Sequence, residues 1–394
     1  MIAAGAAPIV LPSMSAAEHH GKKIKLGVIG TGGRGKWIAK LFAKHGGYDV
    51  VAGADYFQDR LDEYCADLGV AKDKCYTGLD GYKKLIDDGG VDAVAIITPP
   101  YFHPEQAEYA VKAGKHVFLA KPVAVDVPGS LSIEASGALA TKKGLTYLVD
   151  FQTRANEFFQ EAIKRVHDGA LGKLSFGEST YHANDPFKSA ADILGPDTSN
   201  PEAQLRAWGV SRVLSGDIIT EQNVHTLDVM SWIMNKDPVK AYGNCNQKIR
   251  PWGDCNDHFS VIYDYGDGVD VVFSSKQFIA HGTKPDGIRN RMFGEDGVLE
   301  TQYSGPVLLR GIQGSFYRGG NSSGLYESGA VNNIADFHKA VKAGDASNTT
   351  VAPSVQSNLV TILGREAAYS GKEVSWKKLL KSKKAMKLKL DLTA

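Results

Sequence analysis

Three side chains that can move protons, Asp217, Glu221 and His225, follow one another at intervals of four residues. A helix through this stretch would place all three on one face. A carboxylate beside an imidazole orients it and stabilises its charged form, so Glu221 and His225 suit acid–base catalysis near neutral pH. Two other interpretations stay open, a structural salt bridge beneath a sheet and a metal site, although no further His or Cys has convincing ligand spacing.

A glycine loop offers a place for a nucleotide. The motif G-x-G-x-x-G at Gly30, Gly32 and Gly35 follows a strand-length apolar run at 23–29 and precedes helical spacing at 36–43. The first glycine permits a tight turn, the second lets a pyrophosphate approach, and the third lets the helix pack on its strand. The helix N-terminus then presents unpaired N–H groups to the phosphates.

An acidic residue at the correct distance identifies the nucleotide. Asp55 ends a second apolar run 20 residues after Gly35. A carboxylate there accepts both ribose hydroxyls of the adenosine half and repels a 2′-phosphate. Tyr56 and Phe57 follow, with no adjacent Arg or Lys for such a phosphate. The sequence therefore predicts NAD rather than NADP, and an enzyme.

Lys121 is a further candidate for proton transfer. It follows the apolar strand 116–119, at the carboxyl edge where ligands bind to parallel sheets. Oxidation of a secondary alcohol needs a group for the hydroxyl proton beside a hydride acceptor. Burial and the like charge of NAD⁺ would lower the pKa of Lys121, so that it can polarise the alcohol or shuttle its proton. The competing interpretation is a surface lysine that caps a helix.

The elements that must position these residues divide the chain in two. Apolar strands alternate with helices up to about residue 150, which predicts a doubly wound parallel sheet of the Rossmann type. Alternating strand-like segments then appear at 172–183, 239–247, 257–265, 268–279 and 288–301, and helices near 331–343 and 354–371. We predict an α/β Rossmann domain followed by an α+β domain with a large, open, mainly antiparallel sheet.

Composition and chain ends add limits. The 394 residues suit two domains, 22–150 and 151–376, and the C-terminal helices of the second domain are expected to return to the Rossmann domain. A net charge of +1 without a basic patch argues against a nucleic-acid partner. No apolar run reaches the ~18 residues of a membrane span. Residues 1–21 resemble the remnant of an export signal with a cleavage site at 13–16, which predicts a periplasmic or otherwise exported protein; a disordered leader on a cytoplasmic enzyme is the alternative. The basic tail 377–394 is expected to be a solvated strand or helix face.

Four cysteines form two pairs with equal separation, Cys65/Cys75 and Cys245/Cys255. An oxidising compartment would permit local disulfides, whereas buried free thiols are equally compatible with this spacing. The cysteines alone do not decide the compartment.

The order of motifs resembles the Gfo/Idh/MocA oxidoreductases, named for glucose–fructose oxidoreductase and inositol dehydrogenase. The likeness spans about residues 23–376 and rests on the glycine loop, Asp55, Thr98-Pro99-Pro100 with His103, Lys121-Pro122, Gln152/Arg154, His225, 293–297 and 370–374. Two motifs depart from the family pattern. Ala120 replaces the Glu of Glu-Lys-Pro, and Glu221 and Asn223 replace the Asp and Gly of Asp-x-Gly-x-His, which indicates a subgroup.

The resemblance implies roles for individual residues. It implies catalytic Lys121, His225 and Glu221. It implies cofactor contacts from Gly30, Gly32, Gly33, Arg34, Gly35, Asp55, Thr98, Pro99, His103, Lys121 and Gln152. Substrate contacts are expected from Arg154, His182, Asp217 and Asn223, although Arg154 also suits an interdomain ion pair and His182 an exposed strand end.

The expected function follows from these roles. We expect an NAD-dependent oxidoreductase, without a metal, that acts on a secondary hydroxyl of a sugar or glycoside, such as that at C3. The alternative enzyme is a redox-neutral glycosidase or lyase, in which oxidation, elimination and reduction use one retained cofactor. A non-enzymatic nucleotide or sugar sensor is the third interpretation. A homo-oligomer, a dimer or tetramer formed through the open sheet, is expected.

Overall fold

The first sheet is the nucleotide-binding type that the alternating pattern predicts. The computed structural model describes residues 21–187, 189–195, 199–278, 287–312 and 314–392, so the leader 1–20 lies outside the described residues. Elements up to residue 150 are β1 (Ile24–Ile29), α1 (Gly33–His45), β2 (Tyr48–Asp55), α2 (Gln58–Leu68), β3 (Cys75–Thr77), α3 (Gly81–Asp88), β4 (Ala93–Ile96), α4 (His103–Lys112), β5 (His116–Ala120), α5 (Val127–Lys142) and β6 (Tyr147–Asp150).

These six strands are all parallel, in the order β3-β2-β1-β4-β5-β6. Strand β4 is buried along its whole length, because helices cover both faces of the sheet. The order reverses between β1 and β4, so their carboxyl ends frame the crevice in which doubly wound sheets bind ligands. The predicted Rossmann fold is confirmed.

The second part of the chain builds a nine-stranded sheet. Its elements are α6 (Glu157–His167), β7 (Leu174–Ala183), α7 (Ala190–Leu194), α8 (Pro201–Arg206), α9 (Arg212–Ser215), α10 (Ile218–Glu221), α11 (Val224–Met234), β8 (Lys240–Asn246), β9 (His258–Asp264), β10 (Asp270–Gln277), β11 (Gly287–Gly294), β12 (Gly297–Gln302), β13 (Pro306–Gly311), β14 (Tyr317–Asn321), α12 (Leu325–Ala343), α13 (Val351–Ser370), β15 (Val374–Ser375) and α14 (Trp376–Leu379). The strand order is β14-β13-β12-β11-β7-β10-β9-β8-β15.

The nine-stranded sheet is antiparallel except where β7 pairs with β10. The predicted open sheet is confirmed: α11 and α13 pack on one face, and side chains such as Phe176 and Val272 on the other face are exposed. The single segment predicted at 288–301 is two strands, β11 and β12, because Glu295 and Asp296 form a turn between them.

Helices α12 and α13 join the two sheets. Tyr48 donates a hydrogen bond from its hydroxyl to the carbonyl of Ile334 in α12. Arg365 of α13 is buried and donates from its Nη1 to the carbonyls of Val125 and Gly216. The C-terminal helices therefore fix the substrate side of the molecule against the Rossmann sheet.

The continuous helix predicted through Asp217, Glu221 and His225 is wrong. Helix α10 ends at Glu221 because the N–H of Asn223 reaches back to the carbonyl of Ile218, 2.9 Å away, and α11 begins afresh after this wide turn. Asp217 precedes α10 with a φ of 70° and caps it. The three side chains therefore do not share one helix face.

Cys65 and Cys75 form a disulfide between α2 and β3, whereas Cys245 and Cys255 are free thiols. None of the described helices is both long and apolar enough to cross a membrane. The basic tail is helical only over α14, and residues 380–392 form neither the strand nor the longer helix expected from the sequence.

Candidate active site

The glycine loop lies at the carboxyl end of β1 and opens into a cavity of about 220 Å³. Gly30 has a φ of 88°, and a Cβ on Gly35 would lie 1.8 Å from the carbonyl oxygen of Gly30, so both positions require glycine. Gly32, Gly33 and Arg34 also line the cavity. This backbone, at the start of α1, fits the pyrophosphate of NAD.

Asp55 shapes the same cavity from β2. Its Oδ2 accepts hydrogen bonds from the Thr31 amide at 2.7 Å and from the Thr31 hydroxyl at 3.3 Å, and its Oδ1 accepts from the Phe57 amide at 3.0 Å. The carboxylate thus fixes the glycine loop, and its remaining lone pairs can accept ribose hydroxyls.

The turn after β4 forms the opposite wall. Thr98 and Pro99 line the cavity. The expectation that His103 also lines it is not met: His103 is buried behind the wall, where its ring nitrogens lie 2.8 Å from the carbonyl of Thr98 and 2.9 Å from that of Pro122. Burial lowers the pKa of His103 to about 4, so the ring is neutral and its single N–H donates to one of these two carbonyls.

Four side chains that the sequence analysis did not place at the cofactor complete the adenosine end of the cavity. Phe57 and Arg60 come from the Rossmann domain, whereas Leu205 and Trp208 come from the second part of the chain. No local motif marks them, because residues 205–208 reach the cavity only through the tertiary fold.

Lys121 and Glu221 are paired at the centre of the site. The Lys121 ammonium donates to the backbone carbonyl of Glu221 at 2.7 Å and to its Oε1 at 3.4 Å, and both side chains are less than 10% exposed. Burial lowers the pKa of Lys121, Glu221 opposes that shift, and Arg34 adds to it. The sequence analysis assigned Glu221 to His225, but the turn at 222–223 directs the carboxylate to Lys121.

His225 is a neutral base in this environment. It is 7% exposed, and its Nδ1 has no hydrogen-bond partner among the described residues. Burial lowers its pKa well below the usual value, and the charges of Lys121 and Arg34 lower it further. His225 is therefore unprotonated at neutral pH, and it lies close enough to Lys121 for the lysine charge to act on it.

Arg34 connects the cofactor loop to this acid–base pair. Its guanidinium donates to Asp150 Oδ2 at 2.7 Å and to the hydroxyl of Tyr326 at 2.6 Å. Asp150 also accepts hydrogen bonds from Gln152 and Asn333. The arrangement fixes Arg34 and leaves Gln152 Oε1 as a buried acceptor with no partner among the described residues.

Two tyrosines that the sequence analysis missed complete the wall. The Tyr303 ring contacts the His225 ring at 5.2 Å between centroids, and its buried hydroxyl has no partner among the described side chains and backbone. Tyr181 donates from its hydroxyl to Gln222 Oε1 at 2.7 Å. Asn223, fully buried, also has an amide without described partners.

Three residues expected to bind substrate are engaged elsewhere. Arg154 makes a bidentate ion pair with buried Asp228 at 2.8–3.0 Å, and because both residues belong to the second part of the chain, this is not the interdomain pair that was the alternative. Asp217 is fully buried and accepts from Asn256 and Tyr369. His182 neighbours Tyr181 on β7 and so points to the open face, where it contacts Ser274.

The site combines a dinucleotide-binding loop with the Lys121 ammonium, the His225 imidazole and several buried polar atoms. The described residues hold no cluster of His, Cys, Asp or Glu suited to a metal. A model described as the oxidoreductase family with an NAD-binding Rossmann fold matches residues 24–151, and the GFO/IDH/MocA C-terminal domain model matches residues 159–300. The chain belongs to the GFO/IDH/MocA family. As a member of this family, it is an NAD-dependent oxidoreductase.

Relatives of this GFO/IDH/MocA chain carry related names. Inositol 2-dehydrogenase of Rhizobium meliloti strain 1021 is 22% identical over 352 residues, 88% of this chain and 96% of that protein. Glycosyl hydrolase family 109 protein 3 of Phocaeicola vulgatus is 29% identical over 164 residues, 40% of this chain and 29% of that protein. A levoglucosan dehydrogenase solved with NADH and levoglucosan has the same fold, with a TM-score of 0.71 at 19% identity over 90% of this chain and 99% of that chain.

Proposed function

We propose that the protein oxidises a secondary hydroxyl of a sugar or glycoside, such as that at C3, with NAD⁺. One observation carries the proposal. Tyr303, Gln152, Glu221 and His225, around the Lys121 ammonium, each have a buried polar atom without a partner in the described part of the chain. Buried polar groups normally have hydrogen-bond partners, so this concentration suits a polyhydroxylated ligand. The names of the relatives, inositol and levoglucosan dehydrogenase, support the same substrate class.

Lys121 and His225 would divide the proton chemistry. An ammonium has three donors, and Lys121 uses two on Glu221, so one remains to polarise a substrate oxygen. The neutral imidazole of His225 accepts the hydroxyl proton as the carbonyl forms. NAD⁺, held by the glycine loop and Asp55, supplies the hydride acceptor. Tyr303 and Gln152 orient the sugar by its other hydroxyls.

A redox-neutral glycosidase or lyase is the second candidate, favoured by the partial likeness to a glycosyl hydrolase family 109 protein. In that reaction, oxidation at C3 acidifies the neighbouring C–H, and elimination of the aglycone leaves a carbon–carbon double bond. Water adds to that bond in a glycosidase but not in a lyase, and the retained NADH would return its hydride to the C3 carbonyl. The proton-transfer pair Lys121/His225 serves both candidates, since each begins with removal of the same hydroxyl proton.

The experiment that separates the candidates has two readouts. Mass spectrometry of the nucleotide released from denatured protein identifies the cofactor, and a glycoside panel is then followed for both NADH and free aglycone. Net NADH supports the dehydrogenase, and aglycone without net NADH supports the redox-neutral reaction. Absence of both across the panel would contradict the carbohydrate proposal.

We also propose that the protein is exported to the periplasm. The disulfide between Cys65 and Cys75 supports this, because structural disulfides persist in oxidising compartments. Fractionation of the native host, followed by thiol labelling of the purified protein, tests the proposal. Recovery in the cytoplasm with both thiols free would contradict it.

We further propose that the open sheet face forms a homo-oligomer. Phe176, which stacks on Phe293, is 42% exposed, and neighbouring Val272 and Ile262 are 48% and 44% exposed. An apolar face of this kind marks a protein interface. A Val272→Glu variant should shift the mass measured by light scattering to that of a monomer. A monomeric wild-type protein would overturn the proposal.

A further inference from the structure

The last described segment, residues 386–392, which we call the C-terminal strap, is extended and amphipathic. Its exposed positions are Lys387, Lys389 and Asp391, and they alternate with the half-buried Met386, Leu388, Leu390 and Leu392. The three leucines pack on an apolar cluster at the adenosine end of the cofactor cavity. The segment therefore lies against the outer side of the cavity wall.

The cluster beneath the strap comes from both parts of the chain. Phe57 and Phe102 belong to the Rossmann domain, whereas Leu205 and Trp208 belong to residues 201–210, which we call the lid. All four side chains also line the cofactor cavity. The cluster on which the strap packs therefore also borders the cofactor space.

The backbone fastens the strap to the Rossmann side. The Met386 amide donates to Asp126 Oδ2 at 2.7 Å, and the Leu388 amide donates to the Tyr101 hydroxyl at 3.3 Å. Asp126 is itself fixed, because its Oδ1 caps α5 by accepting from the Gly129 amide. The strap is anchored to one wall while its leucines pack on the apolar cluster to which the lid also contributes.

Exposed side chains of the lid make polar and ring contacts with the Rossmann domain. Arg206 lies over the Phe57 ring at 3.8 Å and pairs with Asp59 at 2.8 Å, and the Tyr56 hydroxyl donates to Glu202 at 3.4 Å. Exposed ion pairs hold surfaces together weakly. Burial of the leucines is therefore the larger barrier to separation of the lid from the wall.

We propose that the C-terminal strap holds the lid closed over the adenosine half of NAD and makes cofactor exit slow. Opening the cavity between the Rossmann wall and the lid requires the leucines to leave the cluster. Slow exit limits net dehydrogenation to the rate of cofactor exchange, whereas a redox-neutral cycle needs no exit. The strap is thus a cofactor-retention device, and its action does not depend on the identity of the sugar.

The test measures release of NADH from the full-length protein without any sugar. Protein loaded with NADH is mixed with excess NAD⁺, and the loss of bound-NADH fluorescence gives the release rate. The double variant Leu388→Ser/Leu390→Ser should raise the rate constant of NADH release by at least ~10-fold. The matched control Lys387→Ser/Lys389→Ser changes exposed strap positions and should keep the wild-type rate.

Two results would overturn the inference: a wild-type release rate in the leucine variant, or equal acceleration in the lysine control. Thermal unfolding without cofactor verifies that both variants are folded. If the double leucine variant does not fold, Tyr101→Phe provides the same test, since it removes only the hydroxyl that accepts from the Leu388 amide. It should also accelerate release, and an unchanged rate in this variant counts against the strap. Because sugar is absent, failure of the carbohydrate proposal leaves this measurement interpretable.

Discussion

The ammonium of Lys121 lies 2.7 Å from the backbone carbonyl of Glu221 and 3.4 Å from its carboxylate, which joins the Rossmann sheet edge to the turn between α10 and α11. The Glu221 carboxylate therefore influences the pKa of Lys121 rather than that of His225. Because burial lowers the pKa of Lys121 while Glu221 raises it, the pair sets the pH at which the ammonium is lost.

Glu221→Gln tests this relationship through the pH–rate profile. Removing the negative charge removes an influence that raises the pKa of Lys121, so that pKa falls further. The ammonium is then lost at lower pH, and the alkaline limb of kcat/KM for alcohol oxidation should move to lower pH. The acid limb should stay in place if His225 sets it. A shift of only the acid limb would assign Glu221 to His225 instead.

The Tyr303→Phe variant tests whether the buried Tyr303 hydroxyl forms a hydrogen bond with the substrate. The ring contact with His225 is kept, while one neutral hydrogen bond to substrate is lost, so KM should rise by about 3- to 10-fold. The melting temperature should not fall, since the hydroxyl has no partner among the described residues.

Tyr147→Phe is the matched control for Tyr303→Phe. The Tyr147 hydroxyl is also buried without a described partner, but it lies at the start of β6, at the opposite end from Asp150. Its removal should leave KM unchanged. An unchanged KM in Tyr303→Phe, or an equal rise in the control, would remove Tyr303 from the substrate site.

Arg154→Ala should mainly reduce stability. It leaves the fully buried Asp228 without its cation, and breaking a buried ion pair costs about 3–5 kcal/mol of the free energy of unfolding. Urea unfolding measures this loss, and KM should change little because Arg154 is occupied by Asp228. A large rise in KM at wild-type stability would instead place Arg154 in the substrate site.

Asp55→Asn should narrow the preference for NAD over NADP. The amide oxygen can still accept from the Thr31 amide, while the charge that repels a 2′-phosphate is gone. Titration of both nucleotides, with the exposed Asp62→Asn of α2 as control, measures the ratio of dissociation constants. A wild-type protein that binds NADP more tightly than NAD would contradict the role of Asp55.

Local patterns predict the cofactor half of the site well, and long-range contacts limit prediction of the rest. Gly30, Gly35 and Asp55 act through spacing along one β-α-β unit, so the sequence carries the information directly. Tyr303 and Trp208 reach the site only after distant strands and loops are packed. On β7, the sequence analysis selected His182, but the strand alternation directs its neighbour Tyr181 to the site. The turn at 222–223 likewise directs Glu221 to Lys121 instead of His225, and the periodicity of the sequence does not reveal this turn.

The most direct test of the central claim is single-turnover oxidation of a responsive sugar or glycoside in NAD⁺-loaded protein, followed by NADH absorbance. Lys121→Ala and His225→Ala should each slow the absorbance change by about 10²–10⁴-fold, the range of general acid–base catalysis, at wild-type NAD⁺ affinity. Near-normal rates in both variants would contradict the account, because hydride transfer would then proceed without the proposed acid–base pair.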